Sequence, residues 1–581
     1  MNLSRREFNK ILAVAAASGL LPGKAMAGAP NNLYKMPKSG DVRLLHITDT
    51  HAQLNPIYFR EPSVNLGFGD AFNKAPHLVG KNLLAHFGIK SGSVLEHAYT
   101  SINFDSAAQK YGKIGGFAYL KTLVDQLRTD YGHDKTLLLD GGDTWQGSGT
   151  AYWTRGMDMV NACNLLGVDV MTGHWEFTYQ DTEVLKNIEA FNGDFIAQNI
   201  KVKEDALFDG AEAFDEDSGH RFPPYVIKQV GGHRVAVIGQ AFPYTPVANP
   251  QRFIPDWTFG INERDVQEVV DHVRATEKPA AVVLLSHNGM DVDLKMASRV
   301  TGIDAILGGH THDGIPKPVE VSNASGKTLV MNAGSNGKFV GVLDLKLSKS
   351  GVTGYDYKLL PVFSNFIKPH AEMQKYIDEV RSPYLEKLQE PLGVAGDLLF
   401  RRGNFNGTFD QVICDALNAV GGAQISLSPG FRWGTSVLKG QTITMEHVMD
   451  QTCITYPETY VRDMKGTDIK AILEDVADNL FNPDPYYQQG GDMVRLGGLD
   501  YEMDPLEKIG RRIHNMTLDS GEKIEPNKSY KVAGWATVGA KSPGEPIWDV
   551  VATYLRDQKQ VNIKKLNTPK LKNIKGNKGT V

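Results

Sequence analysis

The sequence predicts an α/β protein of two domains, and three features of the chain support this prediction. The 581 residues are enough for several hydrophobic cores at roughly 150 residues per domain. From about residue 40 to 365, short β-rich apolar runs alternate with amphipathic stretches, which is typical of layered domains with buried sheets. A charged helical stretch over 366–391 then precedes a second, smaller α/β pattern over 392–556.

The composition excludes several classes of protein. Hydrophobic residues make up 41% and charged residues 22%, which are the values of a globular chain and not of a disordered or fibrous one. No internal apolar run reaches the ~18 residues that span a bilayer, so stable membrane insertion is not expected. The net charge is −5 and only the tail over 557–581 is strongly basic. We therefore expect no nucleic-acid binding by the main body and a mobile, solvated tail.

Residues 1–27 have the three parts of an export signal. A basic start with Arg5 and Arg6 precedes a weakly apolar run over 11–21, and Ala25–Ala27 follows as the cleavage site. The paired arginines indicate a twin-arginine (Tat) signal. We predict passage through the Tat translocase in the folded state, cleavage after Ala27 and a periplasmic product.

Strands of the first domain are predicted at five apolar runs, in chain order 42–47, 136–139, 235–238, 281–285 and 303–307. An amphipathic helix is predicted over 264–275. The segment 55–112 has weak periodicity and is interpreted as an insertion that serves as a lid or docking surface. The three cysteines have no spacing that suits a zinc site or a disulfide framework, so they are predicted to be buried thiols: Cys163, Cys414 and Cys453.

Five polar clusters follow apolar strands of this domain, where α/β proteins bind ligands. They are Asp49-Thr50-His51, Gly141-Gly142-Asp143-Thr144, Gly173-His174-Trp175-Glu176-Phe177, Ser286-His287-Asn288-Gly289 and Gly308-Gly309-His310-Thr311-His312-Asp313. Singly, each cluster is weak support, and His46 inside the first strand is interpreted as a packed core histidine with its hydrogen bonds satisfied. Together, they predict metal binding, because buried polar groups cost free energy unless they are paired or coordinate a metal. Two Asp and five His without Cys suit manganese, iron or zinc, and one shared carboxylate fits two ions ~3.5–4 Å apart.

These motifs, D-x-H, G-G-D, G-[N/H]-x-E-F, S-H and G-G-H-x-H in this order, resemble the calcineurin-like metallophosphoesterases, specifically the 5′-nucleotidase family. Arg432 within Gly430–Gly434, and Gly490-Gly491-Asp492, also match the C-terminal domain of that family. The resemblance covers nearly everything after the signal. It implies a four-layer α/β/β/α catalytic domain over 40–365, a linker helix over 366–391 and a smaller 5′-nucleotidase-type α/β domain over 392–556 that binds substrate.

The resemblance also implies how two metal ions are shared. One ion is held by Asp49, His51, Asp143 and His312, and the other by Asp143, His174, His287 and His310. Asp143 is then the bridging ligand.

One cluster departs from the nucleotidase pattern. Nucleotidases have G-N-H-E-F-D, in which the Asn binds metal, the His acts on the substrate and the Asp orients that His. Here His174 takes the Asn position, Trp175 the His position and Thr178 the Asp position. All metal ligands remain, but an indole cannot exchange a proton near neutral pH. The departure therefore argues against ordinary nucleotide hydrolysis.

This combination, with the insertion after D-x-H and with Ser428–Gly434, resembles the dimanganese thiosulfohydrolases of the Sox pathway of thiosulfate oxidation. The resemblance implies release of sulfate from a cysteine-S-thiosulfonate on the C-terminal arm of the SoxYZ carrier. The attacking group would be a hydroxide ion activated by two manganese ions, with zinc or iron as alternatives. Water between two such ions has its pKa lowered toward ~7. A persulfide is a better leaving group than an alkoxide, so a protonating group is less necessary.

Three substrate-facing residues are predicted. Arg432 is the candidate clamp for the sulfonate, because a guanidinium can grip two oxygens at once. Trp175 is expected to shape a narrow apolar channel, and Tyr179 to line the site. Arg401 and Arg402 align loosely with nucleotide-contacting arginines of the family.

Two other interpretations stay open. A periplasmic 5′-nucleotidase or cyclic-nucleotide phosphodiesterase needs aromatic rings to stack the base, and Tyr486 or Tyr487 can serve. A non-enzymatic, metal-stabilised binding module is the third interpretation, and it predicts that His174→Ala weakens folding but abolishes no turnover.

Overall fold

A computed structural model describes residues 32–349, 351–539 and 541–581. The export signal predicted over 1–27 lies outside these residues. Within the described part of the chain, none of the helices has the length and apolar character that a membrane crossing requires.

Two six-stranded sheets form the centre of the N-terminal domain. The strands of the first sheet lie in the order Gly351–Pro361, Phe339–Ser348, Val42–Ile47, Thr136–Asp140, Val170–Met171 and Asp194–Phe195. Those of the second lie in the order Val319–Asn323, Gly326–Asn332, Ala305–Gly308, Ala281–Ser286, His233–Gln240 and Tyr225–Val230. The central strands of both sheets run parallel. Their carboxyl ends therefore meet at one edge of the domain, where the five polar clusters follow.

The two sheets pack face to face. Successive side chains of a strand point to opposite faces of its sheet, so one face contacts the other sheet and the opposite face contacts helices. Val42 and Leu44 join Val283 in the core between the sheets, whereas Leu45 and Ile47 face helices on the outside. The helices on the first sheet are Phe117–Tyr131, Met157–Leu166, Asp181–Ala190 and Ala371–Arg381. Those on the second are Glu263–Thr276 and Met290–Arg299. The predicted four-layer α/β/β/α sandwich is confirmed.

The helix Glu263–Thr276 shows how the sequence specifies these outer layers. Asn262 caps its first turn by accepting a hydrogen bond from the backbone N–H of Arg264 at 3.0 Å. Val266, Val270 and Val273 recur at helical spacing and are buried against the sheet. The remaining elements of the domain are short: helices Gly80–Phe87, Val94–Tyr99, Phe104–Tyr111, Gly149–Thr154, Glu204–Phe208 and Thr245–Ala248, and the strand pair Lys201–Val202 and Trp257–Thr258.

The C-terminal domain contains three small sheets. They comprise Thr442–Thr444, Pro391–Ala395 and Gln560–Val561; Thr459–Lys465, Ser529–Trp535, Ile425–Ser428 and Arg495–Gly497; and Ile513–Leu518, Leu499–Met503 and Lys570–Leu571. Its helices are Leu385–Leu388, Thr408–Gly421, Met445–Thr452, Gly466–Phe481 and Ile547–Gln558. Two further hydrophobic cores hold this domain together. The three cysteines are free and buried, as predicted.

The basic tail is packed, so the expectation that 557–581 is mobile and solvated is wrong. Lys570–Leu571 adds a strand beside Leu499–Met503, and Thr580 pairs with Val64 of the insertion. Lys565 forms ion pairs with two aspartates of the C-terminal domain at 2.6 and 2.7 Å. The charge that suggested a solvated tail is instead matched by acidic partners on the surface that the tail covers.

Candidate metal centre

The loops after the central strands bring the seven predicted ligands together. Two groups of buried side chains form, and in each group the ligand atoms lie within 4.8 Å of one another. The groups are Asp49, His51, Asp143 and His312, and Asp143, His174, His287 and His310. Asp143 belongs to both groups, which is the position of a bridging carboxylate.

Ring nitrogens and carboxylates converge in the first group. Nε2 of His51 lies 3.1 Å from Nε2 of His312, and the latter atom lies 3.2 Å from Oδ1 of Asp49. Oδ2 of Asp143 is 3.7 Å from Nε2 of His51. Two ligands at right angles with bonds of about 2.1 Å would lie about 3.0 Å apart. The first group is therefore spaced as the ligands of one ion are.

The second group gathers around the other side of Asp143. Its Oδ2 atom lies 3.0 Å from Nδ1 of His174 and 3.1 Å from Nε2 of His287. Nδ1 of His287 lies 2.6 Å from the carbonyl oxygen of Gly141. Because a carbonyl only accepts, Nδ1 carries a proton, and Nε2 is the nitrogen that faces Asp143 and that a cation would bind in place of its proton. The ring of His310 completes the group.

The chemistry of these donors fits divalent cations. Burial lowers the pKa of His51 to about 4 and that of His312 well below its usual range, so both rings are neutral at pH 7. Two neutral nitrogens 3.1 Å apart share at most one proton, whereas a cation between them satisfies both. Burial opposes a charge on His287, but the carboxylates of Asp143 and Asp49 raise its pKa to about 10. The site thus attracts positive charge, and its buried groups can hold two metal ions.

The backbone at the ligands is strained. Left-handed φ angles occur at Asp49 (51°), His51 (45°), Asp143 (59°), His310 (72°) and His312 (58°). This conformation costs a non-glycine residue about 1–2 kcal/mol. Such strain persists only where the surrounding structure enforces it, and it concentrates at functional sites. The ligand loops are therefore shaped for convergence rather than for local stability.

A cavity of about 280 Å³ lies over the two ligand groups, between the domains. Five of the seven ligands form its floor, namely His51, Asp143, His174, His310 and His312. Its walls are the rings of Trp175, Phe242, Tyr244, Phe431, Trp433 and Tyr456. Phe431 and Trp433 stack with ring centroids 4.1 Å apart. Trp175 meets both rings edge-on, at 5.5 and 5.3 Å. Aromatic surface thus borders the polar floor directly.

Trp175 lines the cavity and stands beside Asp143, the carboxylate that the two groups share. Its backbone N–H donates to Oδ1 of Asp143 at 2.7 Å, which leaves Oδ2 to face the histidines. Thr178, at the position of the family's orienting Asp, hydrogen-bonds to Oγ1 of Thr455 at 2.7 Å. The two positions that carry the proton-transfer pair in nucleotidases therefore form a wall and an interdomain contact here.

Arg432 lines the same cavity and is largely buried, with a side-chain exposure of 13%. Its Nη2 donates to the carbonyl oxygen of Gly491 at 2.6 Å, and its Nη1 to that of His310 at 3.3 Å. Nε lies 3.5 Å from Oδ1 of Asp492. The guanidinium is therefore fixed beside a metal ligand and does not form a surface ion pair.

Hydrogen bonds between the domains close the sides of the cavity. The hydroxyl of Tyr244 donates to the carbonyl oxygen of Tyr486, and that of Tyr456 to the carbonyl oxygen of Ala248. Nζ of Lys295 lies 3.7 Å from the ring centroid of Tyr486. Tyr486 and the exposed Tyr487 lie outside the cavity lining, so neither ring is placed to stack a base there.

Tyr179 does not line the cavity, which corrects the prediction that it faces the substrate. Its hydroxyl donates to the carbonyl oxygens of Trp145 and Ala151 at 3.0 and 3.2 Å, and its ring is buried in the core. The 3₁₀ turn Trp175–Tyr179 explains the difference. Three residues complete one such turn, so Trp175 and Tyr179 cannot both point to the metal groups.

The two arginines that align with nucleotide-contacting residues have structural partners. Arg401 donates to Asp410 at 2.6 Å and is buried away from the cavity. Arg402 donates to the carbonyl oxygens of Thr311 and His312 at 2.9 and 3.3 Å, so it supports a ligand loop. His46 is buried in the core, as predicted, and burial lowers its pKa to about 3. Neither of its ring nitrogens has a hydrogen-bond partner among the described residues, so the prediction that the ring is satisfied is wrong.

Sequence reasoning missed several residues of the site. Phe242, Tyr244 and Tyr456 follow no recognisable motif, and no local pattern marks them as walls of a cavity. Phe431 and Trp433 flank Arg432 in a motif that the sequence does mark, so their proximity to the site was predictable. Glu176 stands inside the G-H-W-E-F cluster, but its role depends on contacts that only the folded chain shows.

The fold and the ligand groups define the class of protein: a two-domain hydrolase of the metallophosphoesterase type. A family model described as "5′-nucleotidase, C-terminal domain" matches residues 400–546. The sulfate thiohydrolase SoxB of Thermus thermophilus is 36% identical with a TM-score of 0.86, over 93% of this chain and 98% of that one. The chain belongs to the 5′-nucleotidase family of hydrolases.

Two more distant proteins are also similar to this chain. A 5′-nucleotidase precursor, also of Thermus thermophilus, shares the fold, with a TM-score of 0.71 at 21% identity over 92% of this chain and 99% of that one. The trifunctional nucleotide phosphoesterase YfkN of Bacillus subtilis is 27% identical over 508 residues, which is 79% of this chain. The chain spans 32% of the length of YfkN.

Proposed function

We propose that this protein is a thiosulfohydrolase that releases sulfate from a cysteine-S-thiosulfonate carried by SoxYZ. The observation that carries the proposal is a complete set of metal ligands with an indole, Trp175, where nucleotidases place an imidazole. Such a site can activate water, but the indole has no titratable nitrogen with which to protonate a poor leaving group. The similarity to SoxB of Thermus thermophilus supports the same reaction.

The proposed reaction balances without a protonated leaving group. Water adds to the sulfonate sulfur, and the bond between that sulfur and the sulfane sulfur breaks: R–S–S–SO₃⁻ + H₂O → R–S–S⁻ + SO₄²⁻ + 2 H⁺. The electron pair of the broken bond stays on the persulfide. A cysteine thiol already has a pKa near ~8.5, so sulfur anions leave far more readily than alkoxides do.

Different residues of the cavity are proposed to activate the water and to bind the sulfonate. Two manganese ions in the ligand groups would supply Lewis-acid activation of water, with its pKa lowered toward about 7. Arg432 has five N–H donors, and its contacts with His310, Gly491 and Asp492 engage three of them. The two that remain are the proposed donors to the sulfonate oxygens.

The partner is proposed to reach this site with its C-terminal cysteine arm. The cavity is walled by aromatic rings, and hydrogen bonds link the two domains beside it. Tyr486 and Tyr487 lie outside its lining, which favours an extended arm that carries a small anion over a nucleotide that needs stacked rings for its base. The Tat signal predicted over 1–27 would place the enzyme in the periplasm.

The test compares two substrates on the same enzyme. Mature protein loaded with manganese is given thiosulfonated SoxYZ or AMP, and sulfate and phosphate release are measured. We expect manganese-dependent sulfate release and negligible phosphate release. Fast phosphate release from AMP without sulfate release would overturn the proposal in favour of a 5′-nucleotidase.

A variant separates catalysis from binding alone. His174→Ala removes one of the four ligands of the second group and should abolish sulfate release, because Asp143, His287 and His310 alone would hold that ion more weakly and in an altered geometry. Release that persists at the wild-type rate would exclude a metal-dependent reaction at this site. Circular dichroism of the variant controls for loss of the fold.

A further inference from the structure

Glu176 is a fully buried carboxylate close to the metal groups that is not a ligand in either group. Its Oε1 atom accepts hydrogen bonds from the backbone N–H groups of Thr144 and Trp145, at 2.7 and 3.1 Å. Its Oε2 atom accepts from those of His174 and Asp143, at 2.7 and 3.2 Å. One side chain thus joins the loops that carry two ligands.

The loop at Asp143 needs such a support. Asp143 has a φ of 59°, a conformation that is unfavourable for a residue with a Cβ atom. The four hydrogen bonds hold both this loop and the backbone at His174. They also fix Trp175, whose N–H binds Oδ1 of Asp143 and so turns Oδ2 toward His174. The bridging geometry therefore depends on a residue that never touches the metal position.

The acceptor geometry of Glu176 also matters. Each of its two oxygens accepts two backbone N–H groups. A side-chain amide at this position can accept with its oxygen only, so two of the four N–H groups would lose their acceptor. The loss of one acceptor oxygen should therefore loosen the loops that carry Asp143 and His174.

We infer that Glu176 is a positioning residue that sets the affinity of the site for its metal pair, by holding the bridging Asp143 and His174 in register. Partners of this kind typically change metal affinity 10–100-fold when they are replaced. The inference rests on the metal pair of the proposed function but not on its substrate. If the protein binds two ions but releases no sulfate, the proposed function is wrong and the inference about Glu176 still holds.

The test uses Glu176→Gln, which keeps the size of the side chain but replaces one acceptor oxygen with an NH₂ group. Glu474→Gln is the matched control. Glu474 is also a buried carboxylate, and it accepts backbone N–H groups of Gly510, Arg512 and Ile513 at 2.8–3.1 Å in the C-terminal domain. Both variants lose comparable hydrogen bonds, but only one borders the metal groups.

Manganese affinity is measured by competition with a chelator, and the ion pair is observed by electron paramagnetic resonance. We expect roughly 10–100-fold weaker manganese binding in Glu176→Gln, with loss of the signal of two coupled ions, and wild-type behaviour in Glu474→Gln. Wild-type affinity in Glu176→Gln, or equal losses in both variants, would overturn the inference. Glu176→Asp keeps the charge but shortens the reach, so it should recover only part of the affinity.

A measurement on the wild-type protein covers the case in which Glu176→Gln does not fold. Hydrogen exchange of the peptides that contain residues 143–145 and 174 is followed in metal-free enzyme. If Glu176 holds these loops, their amides remain protected without manganese. Rapid exchange that only manganese suppresses would show that the metal, and not Glu176, sets the loop geometry.

Discussion

Removal of residues 577–581 should release the insertion over 55–112 from the C-terminal end of the chain. In the folded protein these residues run back across the insertion, and Thr580 pairs with Val64. The insertion in turn contacts the C-terminal domain, where Tyr58 pairs with Ser436. The tail therefore acts as a clasp between segments that lie at opposite ends of the sequence.

The magnitude follows from the hydrogen bonds that the deletion removes. Three of them are Asn65 N to Gly579 O at 2.7 Å, Asn577 Nδ2 to Gly67 O at 2.8 Å and Val79 N to Lys578 O at 3.2 Å. At about 1 kcal/mol each, these three alone stabilise the docked insertion by about 3 kcal/mol, and the further bonds of this segment to Asn73, Asn82 and Ser63 make that value a lower bound. That free energy corresponds to roughly a 100-fold change in the equilibrium for local opening.

Hydrogen exchange of peptides that cover residues 63–82 measures this opening. We expect their protection to fall roughly 100-fold or more in the truncated protein, while the central strands of both sheets keep theirs. Lys575→Ala is the control, because it removes a charge from an exposed tail position and leaves residues 577–581 in place. Unchanged protection of residues 63–82 in the truncated protein would refute the clasp. If Lys575→Ala lowers their protection as much as the truncation does, the effect is due to the lost charge and not to the lost hydrogen bonds.

Two further predictions concern the site and the pH. Arg432→Lys should lower kcat/KM for sulfate release about 10–100-fold, because the variant loses a charged hydrogen bond of about 1.5–3 kcal/mol. The control Arg462→Lys, at an exposed position, should leave kcat/KM unchanged. If Arg432→Lys has the same kcat/KM as the wild type, Arg432 is not the clamp for the sulfonate. Burial opposes protonation of His77, but Asp291 at 2.7 Å outweighs it and raises the pKa. The stabilisation by this pair is complete below the ordinary pKa of ~6.5 and is lost as the pH rises through the raised value. The thermal unfolding temperatures of the wild type and His77→Gln should therefore differ at low pH and become equal at high pH. A difference that stays the same at all pH values would contradict this prediction.

Much of the site was predictable because its ligands follow strands. Asp49, Asp143 and His287 each stand just after an apolar run, and parallel strands bring such positions to one edge of a sheet. Local patterning is enough for that inference. The sequence also marks Trp175 and Thr178 as departures from the family pattern, since both stand in a frame with fixed spacing.

Other features could not be predicted. Tyr179 stands four residues after Trp175 and was expected beside it, but a tight turn directs its ring into the core. The tail looked solvated because its charge is visible in the sequence whereas its acidic partners, such as Asp500, are not adjacent to it. Arg432 is held by backbone carbonyls, which every residue has and which therefore leave no trace in the side-chain pattern.

Strand periodicity and motif spacing, which are local properties of the chain, were enough to predict an α/β protein and the seven candidate ligands. The sandwich of two sheets and the missing imidazole followed from the resemblance of these motifs to the nucleotidases. The left-handed backbone at the ligands, the four N–H groups that Glu176 gathers and the docking of the tail emerge only in the folded molecule. Each of these depends on hydrogen bonds between segments far apart in the chain, such as Asn65 and Gly579. The free energy of such bonds depends on burial and geometry after folding, so no local pattern reports it.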